Sequence, residues 1–289
     1  MKVIVTGAQG QLGVDMVRCL QGLGYEVYGY GRKELDVTDF EQVRTEFEKI
    51  KPDTVIHTAA YTKVDLAESA PEEAYRINAY GTRNVAVVSE QLGAKLVYIS
   101  TDYVFNGYAG LSNHEFHPTN PVNVYGWSKL AGEQFVQNLH TKFFIVRTSW
   151  VYGMHGHNFV KTMLELAAGE RVISVVADQI GSPTYTVDLA SCISNLITTS
   201  KHGIYHVSNS GQCSWYEFAK AIFEISRIDV NLVSVTTEDY QRPAQRPVYS
   251  VLDAMSLKLN GFKELRHWRD ALEHFLNKEV KVNEAVEVI

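Results

Sequence analysis

The chain of 289 residues carries 27 basic and 33 acidic side chains, a formal charge of −6, and 45% hydrophobic residues. This length and apolar content allow a large buried core, which excludes a disordered or fibrous protein. The acidic balance, without a block of Lys or Arg, argues against binding to nucleic acid or an anionic membrane. The three cysteines lie far apart without a Cys-x-x-Cys pair, which argues against a disulfide framework and a thiolate metal site. No apolar run reaches the roughly 18 residues of a membrane span, so we expect a cytoplasmic protein.

The first half of the chain alternates short apolar runs with segments of helical periodicity. The predicted strands are 2–6, 26–30, 54–58, 95–100 and 143–148, and the predicted helices are 11–22, 39–50, 78–92 and 125–139. Strands rich in Val, Ile and Tyr that alternate with helices predict an α/β fold: a Rossmann-like, doubly wound parallel sheet covered on both faces. Ligands of such sheets bind beyond the carboxyl ends of the strands, so we expect the functional residues there.

Beyond Trp150 the alternation becomes irregular, which predicts a smaller C-terminal substrate-binding lobe interleaved with returns to the sheet. We therefore assign residues 1–150 to a dinucleotide-binding domain, with segments near 171–195 rejoining it. Residues 151–289 are assigned mainly to the substrate-binding lobe. The predicted elements of this half are helices 158–168 and 187–198 and strands 172–176 and 204–207.

A glycine-rich turn follows the first predicted strand. Gly7, Gly10 and Gly13 form a G-x-x-G-x-x-G pattern that opens a helix. The three glycines suit a tight turn, a close approach of the backbone to a pyrophosphate, and close packing of helix on strand, in that order. The alternative is a glycine-rich turn without a ligand, but its position in a βαβ unit favours a dinucleotide site. The residues assigned to it are Gly7, Gln9, Gly10, Gln11, Leu12 and Gly13.

The second predicted strand ends at a basic pair, Arg32 and Lys33, where a site selective for NAD usually carries a carboxylate. Arg32 could neutralise a 2′-phosphate, which favours NADPH, with NADH as a second acceptable cofactor. The alternative is a solvated charge pair, with Glu34 or Asp36 reaching the adenosine instead. Further cofactor contacts are predicted at Asp36, Val37, Ala59, Ala60, Tyr61 and Asn78.

Tyr125 and Lys129 lie four residues apart on a predicted helix, so both project from one face. A free tyrosine titrates near ~10, and a neighbouring cation would lower the phenol pKa by stabilising the phenolate. Tyr125 is therefore the expected proton donor to a carbonyl that accepts a hydride, with Lys129 as the cation. Thr101, at the end of the predicted strand 95–100, can orient that carbonyl. The alternative for Thr101 is a hydroxyl that bonds only its own backbone.

Together these motifs resemble the extended short-chain dehydrogenase/reductase superfamily and, more specifically, the dTDP-4-dehydrorhamnose reductase family. The similar segments are 59–65, 100–105, 147–153, 158–159, 178–184 and 246–250. They cover nearly the whole chain. The glycine-rich turn and the Tyr/Lys pair are general to the superfamily, whereas the Thr-Asp-Tyr segment and the strand end with Trp150 are more specific.

The resemblance implies reduction of the C4 carbonyl of dTDP-4-dehydro-L-rhamnose by NADPH or NADH to dTDP-L-rhamnose, a nucleotide sugar of cell-surface polysaccharide synthesis. The implied catalytic residues are Thr101, Tyr125 and Lys129. The candidate substrate contacts are Asp102, Tyr103, Trp150, Asn158 and Arg246. Core packing is the alternative role for Trp150 and bracing of a loop is the alternative for Arg246.

No metal is expected to be required, and the chain is expected to act as a monomer or a homodimer. Some relatives are described as dimers bridged by magnesium, and Asp15 could supply one such oxygen, but no further ligand is identified. The histidine pairs 114/117 and 155/157 lack third and fourth ligands at suitable spacing. We therefore expect these histidines at the surface or at the rim of a pocket.

Two other functions stay open. A nucleotide-sugar epimerase or dehydratase would use the same Tyr/Lys pair, but a dehydratase also needs a carboxylate acid/base pair, and Asp102 has no adjacent glutamate. A non-catalytic, dinucleotide-binding regulatory subunit would be favoured by loss of Thr101, Tyr125 or Lys129. All three residues are present.

Overall fold

A computed structural model describes residues 1–108, 110–169 and 172–280 of the chain. Its strands are β1 (Lys2–Thr6), β2 (Glu26–Tyr30), β3 (Thr54–His57), β4 (Lys95–Thr101), β5 (Phe143–Thr148), β6 (Val151–Tyr152), β7 (Val172–Val176), β8 (Ile180–Gly181), β9 (Thr184–Tyr185), β10 (Gly203–His206), β11 (Asn209–Ser210), β12 (Cys213–Ser214), β13 (Asn231–Val235) and β14 (Leu265–His267). Its α-helices are α1 (Gln11–Gly22), α2 (Phe40–Ile50), α3 (Val64–Ser69), α4 (Pro71–Tyr75), α5 (Thr82–Gln91), α6 (Val124–Leu139), α7 (Phe159–Ala167), α8 (Thr186–Leu196), α9 (Trp215–Ser226), α10 (Met255–Leu259) and α11 (Trp268–His274). Of the helices in these ranges, none is long and apolar enough to cross a membrane.

Six parallel strands form the central sheet in the spatial order β10, β5, β4, β3, β1, β2. β3 and nearly all of β1 are buried, as is typical of a parallel sheet with helices on both faces. The order of the strands reverses between β1 and β3. In doubly wound sheets ligands bind at such a reversal, beyond the carboxyl ends of the strands. The predicted Rossmann-like sheet is confirmed.

Helices cover both faces of this sheet. On one face α1 packs against α8, and Met16 and Ile193 from these helices join Phe144 of β5 in a buried apolar cluster. On the other face α2 and α6 contribute Phe47 and Val136 to a second buried cluster. Because the sheet is sandwiched in this way, its open carboxyl edge is the place left for a ligand.

A separate apolar core lies among α7, α9 and α11, where Tyr152, Phe218 and Trp268 are buried together. β7 pairs with β13 in a two-stranded parallel sheet next to this core. α8 and β10, in contrast, belong to the central sheet and its helix layer. The division into residues 1–150, with returns near 171–195, and 151–289 stays a prediction. What the structure describes is a C-terminal half that contributes to both cores.

One predicted helix differs from the observed one. The periodicity predicted a helix over 78–92, whereas α4, a π-helical segment at Arg76–Gly81 and α5 follow one another without a break from Pro71 to Gln91. Pro71 is the first helical residue, a position where its missing N–H costs nothing. π-Helical turns are frequent at functional sites. Here the turn places Asn78 beside the site described next.

Candidate active site

A cavity of about 960 Å³ lies at the carboxyl ends of the central strands. This volume is at the upper end of the range of small-molecule sites, roughly 300–1,000 Å³. The predicted site residues in its lining are Gly7, Gln9, Gly10, Gln11, Leu12, Gly13, Arg32, Asp36, Val37, Ala59, Ala60, Tyr61, Thr101, Asp102, Tyr103, Tyr125, Lys129 and Trp150. The fold therefore brings the glycine-rich turn and the Tyr/Lys pair to a single cavity.

The glycine-rich turn lies at the start of α1, and its geometry requires glycine. Gly7 has a φ of +68°, and a Cβ there would lie 2.6 Å from the nitrogen of Ala59. A Cβ on Gly13 would lie 2.2 Å from the carbonyl oxygen of Gly7. Gly10, which has no side-chain acceptor, is the N-cap of α1. The first backbone amides of the helix are thus left for an anion, and this donor set fits the diphosphate of a dinucleotide.

Thr101, Tyr125 and Lys129 lie together in the lining. Thr101 ends β4, and the other two lie one turn apart on α6. Gly126 lets α6 approach the end of β4, since a Cβ there would lie 2.3 Å from the carbonyl oxygen of Tyr103. Only 5% of Thr101 and 2% of Lys129 are exposed. A hydroxyl, a phenol and an amine thus share a space from which most solvent is excluded.

Burial controls the ionisation of the Tyr/Lys pair. It raises the pKa of Tyr125 to about 12, while the hydroxyl of Thr101, which hydrogen-bonds the phenol, acts in the lowering direction. Burial also lowers the pKa of Lys129 to about 7, against the raising effect of Glu133. From the sequence we expected a lowered phenol pKa, and that direction is wrong because burial outweighs the neighbouring groups. Tyr125 therefore keeps its proton at neutral pH, as a proton donor must.

The sequence did not predict the contact between Lys129 and the aromatic ring of Tyr98. The ammonium nitrogen of Lys129 lies 4.1 Å from the centroid of the Tyr98 ring. His57 stacks on Tyr98, and its two ring nitrogens pair with the hydroxyls of Thr6 and Thr82. Burial lowers the pKa of His57 to about 3, so this histidine is neutral and adds no charge. Lys129 thus lies over a ring face instead of a carboxylate.

Asp102 presents a carboxylate oxygen next to Thr101. Its Oδ1 accepts a hydrogen bond of 3.0 Å from the hydroxyl of Thr101, and the hydroxyl of Ser250 also hydrogen-bonds this carboxyl group. Burial raises the pKa of Asp102 to about 6. Tyr103, the next residue, packs edge-on against the ring of Tyr125 at 5.8 Å. An acceptor for a substrate hydroxyl therefore lies directly beside the predicted catalytic residues.

Two stacked tryptophans line the side of the cavity that belongs to the second half of the chain. The rings of Trp150 and Trp215 are 3.5 Å apart at their centroids and only 8° from parallel. Trp150 has a φ of +46°, which is rare for a large side chain. A Cβ on Gly181 would lie 2.5 Å from the ring of Trp150. The indole is therefore held between a glycine backbone and a second indole.

Asn78 is not among the lining residues that the structure describes. Its Oδ1 accepts from the Tyr61 nitrogen, and its Nδ2 donates to the Tyr61 oxygen and to the Ser128 hydroxyl, at 2.8 to 3.0 Å. Every hydrogen-bonding group of the amide is thus engaged within the protein. Asn78 connects the loop after β3 to the helix that carries Lys129, so it positions both.

Asn158 and Arg246 also lie outside the lining, within the part of the chain described. Asn158 caps α7, and its Nδ2 donates to Gln11 and to the carbonyl of Gly153, each at 2.8 Å. The guanidinium of Arg246 pairs with both oxygens of Asp65. Their predicted contacts with the substrate stay a prediction.

Sequence reasoning missed part of the lining. These residues are Gly31, Leu35, Thr58, Thr62, Val64, Arg76, Ile77, Ile99, Ser100, Thr148, Ser149, Val151, Gly156 and Trp215. Most of them adjoin predicted positions, and extending each motif by one or two residues would have found them. Trp215 had no such signal, because its neighbours in the cavity come from distant parts of the chain.

The described ranges contain no group of three or more His, Cys, Asp or Glu residues that could hold a metal ion. Asp15, which was considered as a metal ligand, accepts a hydrogen bond from the hydroxyl of Thr186. His114 and His117 stack on each other at 3.6 Å, and His157 lies at the cavity. That the protein requires no metal stays a prediction.

Known proteins resemble this chain over nearly its full length. The family profile of the RmlD substrate binding domain matches residues 1–281. Spore coat polysaccharide biosynthesis protein SpsK of Bacillus subtilis (strain 168) is 47% identical over 277 residues, 96% of this chain and 97% of its own. The dTDP-4-dehydrorhamnose reductase of Streptomyces griseus is 43% identical over 276 residues, 93% of this chain and 91% of its own. The crystal structure of dTDP-4-dehydrorhamnose reductase from Bacillus anthracis in complex with NADP superposes with a TM-score of 0.94 at 53% identity, covering 96% of this chain and 99% of that one.

Proposed function

The chain belongs to the family of the RmlD substrate binding domain, and on that premise we propose that it reduces the C4 carbonyl of dTDP-4-dehydro-L-rhamnose to dTDP-L-rhamnose. The reductant is NADPH, with NADH as a second acceptable cofactor. One observation carries the proposal: Thr101, Tyr125 and Lys129 meet in the same cavity as the glycine-rich first turn of α1. Similar proteins carry this activity in their names, and one of them is known in complex with NADP.

The cofactor site is built mainly from backbone. When bound, the reduced nicotinamide supplies the hydride that adds to C4 of the sugar. The glycine turn at residues 7–13 and the first amides of α1 hold the diphosphate, because a helix N-terminus attracts negative charge. Ala59, Ala60 and Tyr61 line the path from this turn towards the catalytic residues, and Asn78 fixes Tyr61 through both of its backbone polar groups.

Proton delivery to the C4 oxygen falls to Tyr125. Its phenol is protonated at neutral pH, and the hydroxyl of Thr101 orients it. Proton transfer leaves a phenolate, which the ammonium group of Lys129 stabilises within the same buried space. Because the pKa of Lys129 is about 7, a substantial fraction of this amine is charged at neutral pH.

Binding of the sugar falls to Asp102 and to the tryptophan pair. Asp102, which lines the cavity, can accept a hydrogen bond from a sugar hydroxyl. Trp150 and Trp215, which both line the cavity, offer an apolar surface for the methyl group of a deoxysugar. Asn158 and Arg246 support this end indirectly, through the hydrogen bonds that hold their loops in place.

The alternative of a dehydratase loses support from the carboxylates of the cavity. Among the described residues, the lining contains only Asp36, after β2, and Asp102, after β4. Asp102 is thus the one carboxylate of the described lining that lies next to Thr101, and one carboxylate does not supply the acid/base pair that elimination of water needs. A regulatory subunit would need neither the buried Tyr/Lys pair nor Thr101, and all three are in place.

A panel of 4-keto nucleotide sugars tests the proposal. Purified protein is incubated with NADPH and either dTDP-4-dehydro-L-rhamnose, its 6-deoxy-D-glucose epimer or the UDP analogue, while the absorbance of the reduced cofactor is followed. We expect stoichiometric oxidation of NADPH with the first sugar, and NMR of the product should show dTDP-L-rhamnose. Conversion without net consumption of NADPH would favour an epimerase or dehydratase. Oxidation with none of the sugars would contradict the proposal.

We further propose that the enzyme works in the cytoplasm, as a monomer or homodimer, without a required metal. The free thiols of Cys19, Cys192 and Cys213 suit a reducing compartment. Light scattering on the purified protein should give the mass of one or two chains. Activity should survive treatment with EDTA, and a loss that magnesium restores would show that a metal is needed.

A further inference from the structure

Two arginines and a glutamate form a charged cluster at the end of the cavity that follows β2. Arg32 and Arg76 both line the cavity, and Glu73, on α4, contacts both of their guanidinium groups. Oε1 of Glu73 lies 2.8 Å from Nη2 of Arg76 and 3.6 Å from Nη2 of Arg32, and its Oε2 lies 2.7 Å from Nε of Arg76. One carboxylate therefore stands between two cations.

Arg76 is held in a fixed orientation. Its remaining nitrogen, Nη1, donates to the hydroxyl of Thr38 at 2.5 Å. The nitrogen and hydroxyl of Thr38 donate in turn to Oδ1 of Asp36, at 2.9 and 2.8 Å. Both arginines help to hold the pKa values of Glu73 and Asp36 below their usual range. The four charged groups thus act on one another as a single electrostatic unit.

The ion pairs within this cluster are exposed and easily exchanged. The exposed fraction is 75% for the Arg32 side chain, 43% for Arg76 and 35% for Glu73. Exposed pairs of this kind contribute little to stability, so a stronger anion can displace the carboxylate at small cost. A phosphate monoester is such an anion, because it carries about −1.5 to −2 charges at pH 7 and three strong acceptor oxygens. Arginine forks match its geometry.

We propose that Arg32 and Arg76 together bind the 2′-phosphate of NADPH, and that Glu73 is a built-in competing anion that reduces the preference for NADPH over NADH. The proposal rests on the proposed function only in placing a nicotinamide dinucleotide in this cavity. With NADPH, the two guanidinium groups turn to the phosphate and Glu73 is released to solvent. With NADH, Glu73 stays paired with both arginines, and Asp36 in the same lining can accept the ribose 2′-hydroxyl.

Calorimetry with two cofactor fragments tests the role of Arg76. 2′,5′-ADP carries the phosphate in question and 5′-AMP lacks it, while neither contains nicotinamide or depends on a sugar. We expect Arg76→Ala to weaken binding of 2′,5′-ADP by about tenfold or more, since hydrogen bonds between charged groups are lost. Binding of 5′-AMP should change by less than about twofold. Equal weakening of both fragments would show a structural role and overturn the proposal.

Glu73→Gln tests the competition itself, because glutamine keeps the shape of the side chain but loses the charge and one of the two acceptor oxygens. We expect 2′,5′-ADP to bind about three- to tenfold more tightly and 5′-AMP to bind as before. The ratio of kcat/KM for NADPH to that for NADH should rise by a similar factor. Unchanged or weaker binding of 2′,5′-ADP would mean that Glu73 does not compete, and would overturn the proposal.

Arg44→Ala is the matched control. Arg44 pairs with Glu41 three residues earlier on α2, as Arg76 pairs with Glu73, but among the described residues neither Arg44 nor Glu41 lines the cavity. This variant should bind both fragments like the original protein. The fragment results also separate the two proposals, because selective binding of 2′,5′-ADP together with no reduction of any 4-keto sugar would contradict only the proposed function.

Discussion

The cavity has an adenosine end, formed by Arg32 and Arg76 and named for the proposed cofactor contact, and a catalytic end, formed by Tyr125 and Lys129. The protein favours charged side chains at the first end and neutral side chains at the second. At the adenosine end, pairing between Arg76 and Glu73 raises the pKa of the arginine and lowers that of the glutamate, so both stay charged. At the catalytic end, burial raises the pKa of Tyr125 and lowers that of Lys129, which disfavours the charged form of each. The exposed end of the cavity therefore offers side chains that stay charged at neutral pH. A buried site supplies groups whose charge can change during a reaction.

The catalytic end can remain buried because its permanent charges are paired. Glu133 lies one turn beyond Lys129 on α6 and forms two hydrogen bonds with Arg147 of β5, at 2.6 and 2.9 Å. Ser100 donates a further hydrogen bond of 2.5 Å to the same carboxylate. This network ties α6 to β4 and β5, so it holds the Tyr/Lys pair against the end of the sheet.

The largest expected effect is at the catalytic end. We expect Tyr125→Phe to lower turnover by about 10²- to 10⁴-fold, because the proton donor is lost. The dissociation constant of NADPH should change little, since the binding charges lie elsewhere. Single-turnover kinetics and fluorescence titration measure the two quantities. Tyr80→Phe, at an exposed tyrosine, is the control, and full turnover in Tyr125→Phe would reject the assigned donor.

The next largest difference is expected in how much an ion pair at each end contributes to the free energy of unfolding. Glu133→Gln leaves Arg147 as a buried charge without its counter-ion, so the free energy of unfolding should fall by about 3–5 kcal/mol. Glu73→Gln, the same change at the exposed end, should alter it by less than about 1 kcal/mol. Urea denaturation of both variants gives the comparison. Similar losses for the two would show that burial does not distinguish these ion pairs.

The pH dependence should also differ between the ends. The charged form of Lys129 predominates below its pKa of about 7, so kcat/KM should fall as the pH rises above that value, approaching about tenfold per unit. Lys129→Arg keeps its charge, so the remaining activity should lack this decline. Binding of 2′,5′-ADP should stay flat from about pH 7 to 9, because the arginines and the phosphate keep their charges there. A decline of equal steepness in Lys129→Arg would exclude Lys129 as the titrating group.

The smallest effect is expected from the tryptophan stack. Trp215→Leu removes the ring behind Trp150, and aromatic pairs contribute about 0.5–1.5 kcal/mol, so KM for the sugar should rise about two- to tenfold. The value of kcat and the affinity for NADPH should change much less. Trp127→Leu removes an exposed indole outside the described lining and is the matched control. An unchanged KM in Trp215→Leu would leave the pair with a packing role alone.

The glycine turn and the Tyr/Lys pair could be predicted because each is local. Gly7, Gly10 and Gly13 share one turn, and Tyr125 and Lys129 share one helical face, so their mutual geometry follows from strand-to-helix and helix geometry alone. The alternation of apolar runs predicted the parallel sheet for the same reason. It also predicted that the strand end at Thr101 would meet the ligand.

Other contacts were beyond sequence reasoning because they join distant segments. Arg76 reaches Thr38, and Trp215 reaches Trp150, only after the sheet and both apolar cores are assembled. The hydrogen bonds of Asn158 are a further example of contacts between distant segments. Asn158 caps α7 and uses its side-chain amide in hydrogen bonds within the protein. One of these bonds reaches Gln11, which lies far from Asn158 in the chain.

By itself, the sequence determined the fold class, the glycine-rich turn and the spacing of the Tyr/Lys pair, since all three depend on short-range spacing and residue type. The tertiary structure decided the ionisation of the donor and of Lys129. Burial, which no local pattern specifies, raised the pKa of Tyr125 against the lowering effect of the hydrogen bond with Thr101. The tertiary structure also decided that Arg76 lies near Arg32 in the cavity, because Glu73 and Arg76 reach this position only through the packing of α4 and its π-helical extension.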